Sequence, residues 1–533
     1  MSFPGRQSWV LLLLIVLLAL VVRRIAPARL ARLTGWSEGP ALPILAGILA
    51  ASLTLWQWGG LRAVPVIHDE AAYLLQADLF AKGHWAQPSP PAAEAFTQPA
   101  VLVTPVLAPK MPPGHALLLI PGMLLHAPGL MPMLLVGATA ALLALLVRRL
   151  AGASAAILSL VLWLTQGGQA RWRASYFSEN TTTLLWLLGW WALWRWRDSG
   201  RTRWLLLVAA ATGWGAITRP LTMLVFAIPV GIVVLIDVVR TRRWAQLGWA
   251  MALGTLVLML VPLQNRMTLG RWNRSPLTLY TRQYIPFDKV GFGLDTTPPE
   301  FTMPGPLVRG NDRFIALHRE HQPAALPRIL QGRLRVWFSA NFGVWRRLFV
   351  PLAILALCFL PRAAWLGVAS WAGLYLAYLG YAHEPAWALY YAEATTVSAA
   401  VIGIGLAWWL FSAVGGARST AMGVLVAALI FCWAIPDLQR WHDAIREPQR
   451  PEQEFRASVE ALSPGKSLVF LRYSATHDPH TSFLRNVADP VDAPLITAFD
   501  LGPESRASIR AAFPDRSAFV WDEATHQFTP ENR

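Results

Sequence analysis

Long stretches without a single charged residue constrain this chain more than any other feature. Residues 10–22 and 253–263 are two of them. Such segments fold stably where each backbone group is bonded within its own helix, and about 17–25 apolar residues suffice to cross a bilayer. Only 14% of the 533 residues are charged and 55% are hydrophobic, whereas about a quarter of a soluble domain is charged. The chain therefore reads as an all-α polytopic membrane protein. Soluble enzymes and disordered scaffolds are excluded.

The formal net charge of +16 is unevenly spread. Residues 1–436 carry +20 and residues 437–533 carry −4. The excess sits in short Arg-rich turns between apolar segments, at 23–32, 148–149, 195–203, 240–243, Arg362 and Arg418. That is the pattern of cytoplasmic loops, and it argues against a nucleic-acid partner. Placing these turns inside puts 60–113, 166–180, 264–347 and 383–394 outside, with about 12 spans in all. Residues 114–125 are too short to cross and are expected to dip in and return. The run 421–435 exits outward and makes 437–533 a periplasmic or extracellular tail. The division expected is an anchor and basic cytoplasmic turn (1–39), a transmembrane unit (40–436) and the tail (437–533), in a bacterial inner membrane.

The tail differs in texture. Residues 467–473, 494–499 and 517–521 read as short strands, and 452–462 and 503–512 have helical spacing. A small α/β domain is expected there. Within it, His477-Asp478-Pro479-His480 reads as a solvated turn. The two cysteines, Cys358 and Cys432, lie in apolar runs and offer neither a disulfide framework nor a thiolate metal site.

The first outside loop is the richest in chemistry: Val64-Pro65-Val66-Ile67-His68-Asp69-Glu70-Ala71-Ala72-Tyr73. Residues 71–82 have amphipathic spacing, with Gly83 placed to end the helix. Asp69 reads either as the N-cap of that helix, with Glu70 in its first turn, or as an acid placed for chemistry. The loop closes on Ala108-Pro109-Lys110-Met111-Pro112-Pro113-Gly114-His115. Lys110 is one of only four lysines, and it reads as a snorkelling cation or a fixed anion contact.

An acid pair just after an outward span, an amphipathic loop helix and a Lys-x-Pro-Pro step into the membrane resemble the GT-C glycosyltransferases. Within that class the chain is similar to the protein O-mannosyltransferase and aminoarabinose-transferase branch (glycosyltransferase family 39). Asn265-Arg266-Met267-Thr268-Leu269-Gly270 resembles a step found after a late span in these proteins. The resemblance implies a polyprenyl-phosphate-linked sugar donor, transfer on the outer face, and a glycan, lipid or protein acceptor. It maps the base onto Asp69, with Glu70 as neighbour. Two adjacent helical residues point about 100° apart, so they cannot share one hydroxyl. Cations for the donor phosphate are Lys110, Arg171, Arg173, Arg219 and Arg282, each of which could instead anchor a helix end. Pocket candidates are His68, Tyr73, His115, Glu179, His383, Tyr390, Tyr391 and Glu393. Relatives often carry His-Tyr where this chain has Tyr390-Tyr391. No cofactor is required by these residues. A divalent cation (Mg or Mn) is possible in the superfamily, but the spacing of acids and histidines here matches no metal motif.

Three other functions fit a polytopic chain: a lipid or glycan flippase or transporter, a polymerase or ligase of undecaprenyl-linked glycans, and an anchored binding protein whose tail does the work. The first predicts paired half-repeats and midplane charges, which are not seen. The second would depend on loop Arg and His residues. The third predicts that deleting 437–533 abolishes activity.

Overall fold

A computed structural model describes residues 6–343, 345–411, 416–474 and 476–531. Among these, six helices are long and apolar enough to cross a membrane: Ala41–Trp58, Leu130–Leu164, Pro220–Thr241, Trp244–Leu269, Ala388–Phe411 and Ala417–Leu462. Two bent pairs, Ser8–Arg23 with Pro27–Ser37 (115°) and Pro323–Phe342 with Trp345–Phe359 (94°), raise the number to eight if each counts as one span. The chain is a multi-pass, mainly helical membrane protein. Helix length and apolar character thus give six to eight spans among the described residues, fewer than the twelve or so read from the charge pattern.

Part of that difference has a local cause. Leu130–Leu164 is 35 residues long, about 52 Å at the helical rise and far more than the roughly 30 Å hydrocarbon layer. Gly152 breaks it with φ +86° and ψ 174°, a conformation that costs glycine little. Two runs therefore meet beside Arg148 and Arg149. Pro113–Leu124, by contrast, has only 12 residues and reverses at His126 (φ +51°).

The basic turns meet one another at one end of the bundle. Arg148 donates to the carbonyls of Ser37 and Gly39. Arg149 pairs with Asp198 at 2.7 Å, and Arg197 with Asp237 at 2.6 Å. Arg418 donates to the Ile25 carbonyl. Charge read from the sequence thus sorts the loops as the tertiary contacts do.

At the other end lie the first loop and the tail. In the tail, Leu495–Phe499, Ser467–Arg472 and Ser517–Asp522 form a parallel sheet, with Ser467–Arg472 central and Gln527–Pro530 added antiparallel at one edge. Leu468, Val469, Phe470 and Leu471 are all buried, as an unbroken apolar run in a parallel strand requires. Helices Arg450–Leu462 and Pro503–Ala512 accompany the sheet. Its core is continuous with the loop: Phe455, Phe470 and Trp521 belong to the same apolar cluster as Tyr73, Leu102 and Tyr280. Asn486 and Gln87 add hydrogen bonds between the two segments.

Candidate functional site

The loop helix spans His68–Ala81 and starts after an extended Ile67. Its capping acid is Glu70, the third helical residue, and not Asp69. Glu70 Oε1 accepts from the backbone N–H groups of Val66 (3.4 Å) and Ile67 (3.3 Å). Its Oε2 accepts from the Tyr176 N–H at 3.0 Å, tying the loop to the segment before Glu179–Ser199. Glu70 is buried. Burial pushes its carboxyl up to about 7 against the opposing pull of those N–H donors. Glu70 therefore serves the loop's architecture. Asp69, a helical step further round, keeps 39% of its side chain exposed and lines a cavity of about 620 Å³.

That cavity gathers five of the residues singled out from the sequence: His68, Asp69, Lys110, Arg171 and Tyr390. Lys110 is held by its surroundings. It leaves the short strand Val106–Pro109, its N–H donates to the Ala100 carbonyl, and the next carbonyl, Met111, accepts from Gln76 and Gln264. Its ammonium lies 4.7 Å from the centre of the Tyr280 ring, a cation–π contact. Arg171 stacks over Trp172 at 5.1 Å. The step Asn265 to Gly270 closes the helix Leu260–Leu269: Gly270 takes φ +71°, and Asn265 donates past it to the Trp272 carbonyl.

The tail supplies one wall. His480 stacks on His68 (ring centres 4.9 Å), with Nδ1 to Nδ1 at 3.2 Å. One ring must donate and the other accept, which requires a neutral imidazole. Burial first, and then the nearby His480, Lys110 and Arg485, lower His68 to about 4 despite Asp69. Arg485 pairs with Glu452 at 2.7 Å and also lines the cavity. The expectation of a solvated turn at 477–480 is therefore corrected. His477 is buried, stacked on Tyr473 at 3.6 Å and paired with Glu523 at 2.7 Å. The sequence reading also missed Tyr280, Asp288, Tyr381 and Trp387 on the cavity wall. Only the aromatic richness of 280–287 and 381–391 signalled the three rings, and nothing local signalled Asp288.

The remaining candidates lie elsewhere. Arg173 donates to the carbonyls of Trp163 (2.8 Å) and Leu164 (2.9 Å), closing the C-terminal end of Leu130–Leu164. Arg282 is exposed and paired with Glu300 at 2.7 Å. Arg219 sits behind Tyr390, 5.2 Å from its ring centre, and is neutralised by an ion pair with Glu179. None of these three lines the cavity, and each guanidinium is already engaged. Tyr73 donates to Ser178 Oγ at 3.0 Å and meets the edge of His115, which bonds Thr181 (2.8 Å) and the Tyr176 carbonyl (2.9 Å). His383 bonds the Tyr391 hydroxyl at 2.9 Å, and Thr182 donates to Glu393. These groups are buried and do not line the cavity.

The donor set does not suit Mg or Mn, which take oxygen ligands in near-octahedral arrangement. The cavity around Asp69 carries two imidazoles, His68 and His480, and four cations, Lys110, Arg171, Arg313 and Arg485, with Asp288, Glu452 and Asp478 also on its wall, and among the described residues no three His, Cys, Asp or Glu side chains gather as a metal would need.

Residues 115–263 match the family described as dolichyl-phosphate-mannose-protein mannosyltransferase. No curated protein matches the chain in sequence. Among solved structures, the crystal structure of ArnT from Cupriavidus metallidurans bound to undecaprenyl phosphate superposes with a TM-score of 0.49 at 14% identity, covering 92% of this chain and 94% of that one. The apo crystal structure of the same protein gives 0.45 at 14% identity, covering 90% and 92%.

Proposed function

We propose that this chain, a membrane glycosyltransferase of the GT-C superfamily by its family match over 115–263, moves a sugar from a polyprenyl-phosphate donor to an acceptor hydroxyl, with Asp69 as general base. The observation that carries the reading is one half-exposed carboxylate facing a 620 Å³ cavity that also holds Lys110 and Arg171. The donor is a phosphodiester, and its phosphate gains a second negative charge as it leaves. The acceptor oxygen bonds to C1 while the C1–O bond to phosphate breaks. Asp69 takes the hydroxyl proton, which contributes on the order of 10²–10⁴ in rate. Lys110 and Arg171 stabilise the charge that develops on the leaving group. The aromatic rings of Tyr280, Trp387 and Tyr390 offer flat faces for the sugar. The likeness to a structure holding undecaprenyl phosphate motivates the choice of that lipid as a probe.

In the same reading the membrane unit makes about twelve crossings, if its shorter helices also cross, and sits in a bacterial inner membrane. The cavity and the tail then face the periplasm, where the acceptor is a glycan, lipid or protein. The test is a deletion strain whose envelope glycans are compared by mass with its parent. A missing sugar mass restored by the wild-type gene supports the function, and an unchanged glycan profile removes it. Lys110→Met, with Arg171→Met beside it, is expected to weaken binding of undecaprenyl phosphate to the purified protein by at least about tenfold, since each removes a charge-assisted contact. Tryptophan fluorescence titration measures this, and equal affinity would remove both residues from the phosphate site.

A further inference from the structure

A second cavity, of about 640 Å³, opens where Ala41–Trp58 ends and Ala417–Arg446 leaves the bundle. Its volume falls within the roughly 300–1,000 Å³ of small-molecule sites. Three arginines line it, Arg62, Arg446 and Arg450, against a single carboxylate, Asp443. That carboxylate is already taken. His442 donates through Nδ1 to Asp443 at 2.8 Å, and its Nε2 accepts from Arg446 at 3.1 Å. The imidazole is held flat against Trp56, with ring centres 4.5 Å apart.

The arginines are arranged by the fold. Gly59 has φ +88°, and a Cβ there would lie 2.9 Å from Arg446 Nε, so this guanidinium rests on bare backbone. Arg62 Nε donates to the His126 carbonyl at 2.9 Å. The guanidinium of Arg450 has no hydrogen bond or ion pair among the described residues. Three cations around one concavity repel one another until an anion fills it, and guanidinium forks suit phosphate oxygens. The position narrows the source. Both helices have the length and apolar character of spans. Ile48, Leu55, Trp56 and Ile435 on them are exposed large apolar side chains, as a lipid-facing surface would show. The arginines stand at the ends of those surfaces, at the depth of the headgroups.

We propose that this cavity binds the phosphate of an anionic membrane lipid, at a site distinct from the Asp69 cavity and independent of the sugar-transfer reading. The test is native mass spectrometry of the full-length protein released from nanodiscs of equal phosphatidylglycerol and phosphatidylcholine. The wild type is expected to retain phosphatidylglycerol at least fivefold over phosphatidylcholine, with one copy bound tightly. Arg450→Gln, which breaks no contact, should remove most of that preference while the melting temperature stays unchanged. Gly59→Ala should do the same by displacing Arg446. Arg240→Gln, at the opposite end of the bundle, should retain it. Equal retention of the two lipids, or equal loss in the Arg240 variant, overturns the proposal. Saturable binding of inorganic phosphate without lipid enrichment overturns the assignment to a headgroup.

Discussion

Asp69→Asn is expected to leave a folded, membrane-inserted protein that has lost at least about a hundredfold of its transfer rate. The amide keeps the size of the carboxylate and removes its capacity to take a proton. Stability should hardly move, because among the described residues Asp69 accepts no hydrogen bond and its nearest charged or titratable contact is His68 Nε2 at 3.7 Å. Burial keeps that imidazole neutral, so no ion pair is lost. Surface changes of this kind usually stay within about 0.5 kcal/mol. Asp69→Glu should recover part of the activity, since a carboxylate displaced by one methylene still accepts a proton. The measurement is restoration of the missing glycan mass in the deletion strain, with expression matched by blotting. Full restoration by the asparagine variant would take the base role away from Asp69.

Glu70→Ala should do the reverse to the fold, costing about 3 kcal/mol measured near pH 5. The Tyr176 N–H, now bonded to Oε2, would be left buried without a partner, which costs about 1–3 kcal/mol. The N–H groups of Val66 and Ile67 would lose their cap, worth roughly another 1 kcal/mol. Activity should fall too, through displacement of Asp69. The pH dependence has a definite sign. Glu70 is raised from 4.5 to about 7 in the folded protein. Its contribution is therefore full below about pH 4.5 and is lost as pH rises through 7. Glu70→Gln lacks this slope, so the stability difference between wild type and Glu70→Gln should narrow over that interval. Thermal unfolding in detergent, followed by tryptophan fluorescence at several pH values, checks both statements. A parallel pH profile for the two proteins would mean that Glu70 titrates at its ordinary value.

The two neighbouring acids show how far sequence reasoning reaches. A motif can say that His68-Asp69-Glu70 opens a helix beside the membrane. It cannot say which acid is turned inward, because the partner that holds Glu70 Oε2 there, the Tyr176 N–H, is 106 residues away. The cations sort by the same logic. Lys110, Arg171, Arg173, Arg219 and Arg282 look alike as letters. Arg173 is consumed by carbonyls at a helix end and Arg219 by Glu179, whereas Lys110 and Arg171 face the cavity. His480 reads from sequence as part of a solvated turn because nothing local connects it with His68, 412 residues earlier.

What the sequence determined by itself is the class of the molecule and which of its turns share one end. Charge-free runs compel membrane helices, and Arg-rich turns gather at one end because moving them across the bilayer is costly. The tail's strand and helix periodicities were legible for the same reason, since side-chain spacing is a local property. The tertiary structure alone decided which groups meet. It packed the tail against the first loop in one apolar core, and so closed the cavity around Asp69. It also turned one of two adjacent acids inward. Those outcomes depend on contacts hundreds of residues apart, which a linear pattern of letters does not carry.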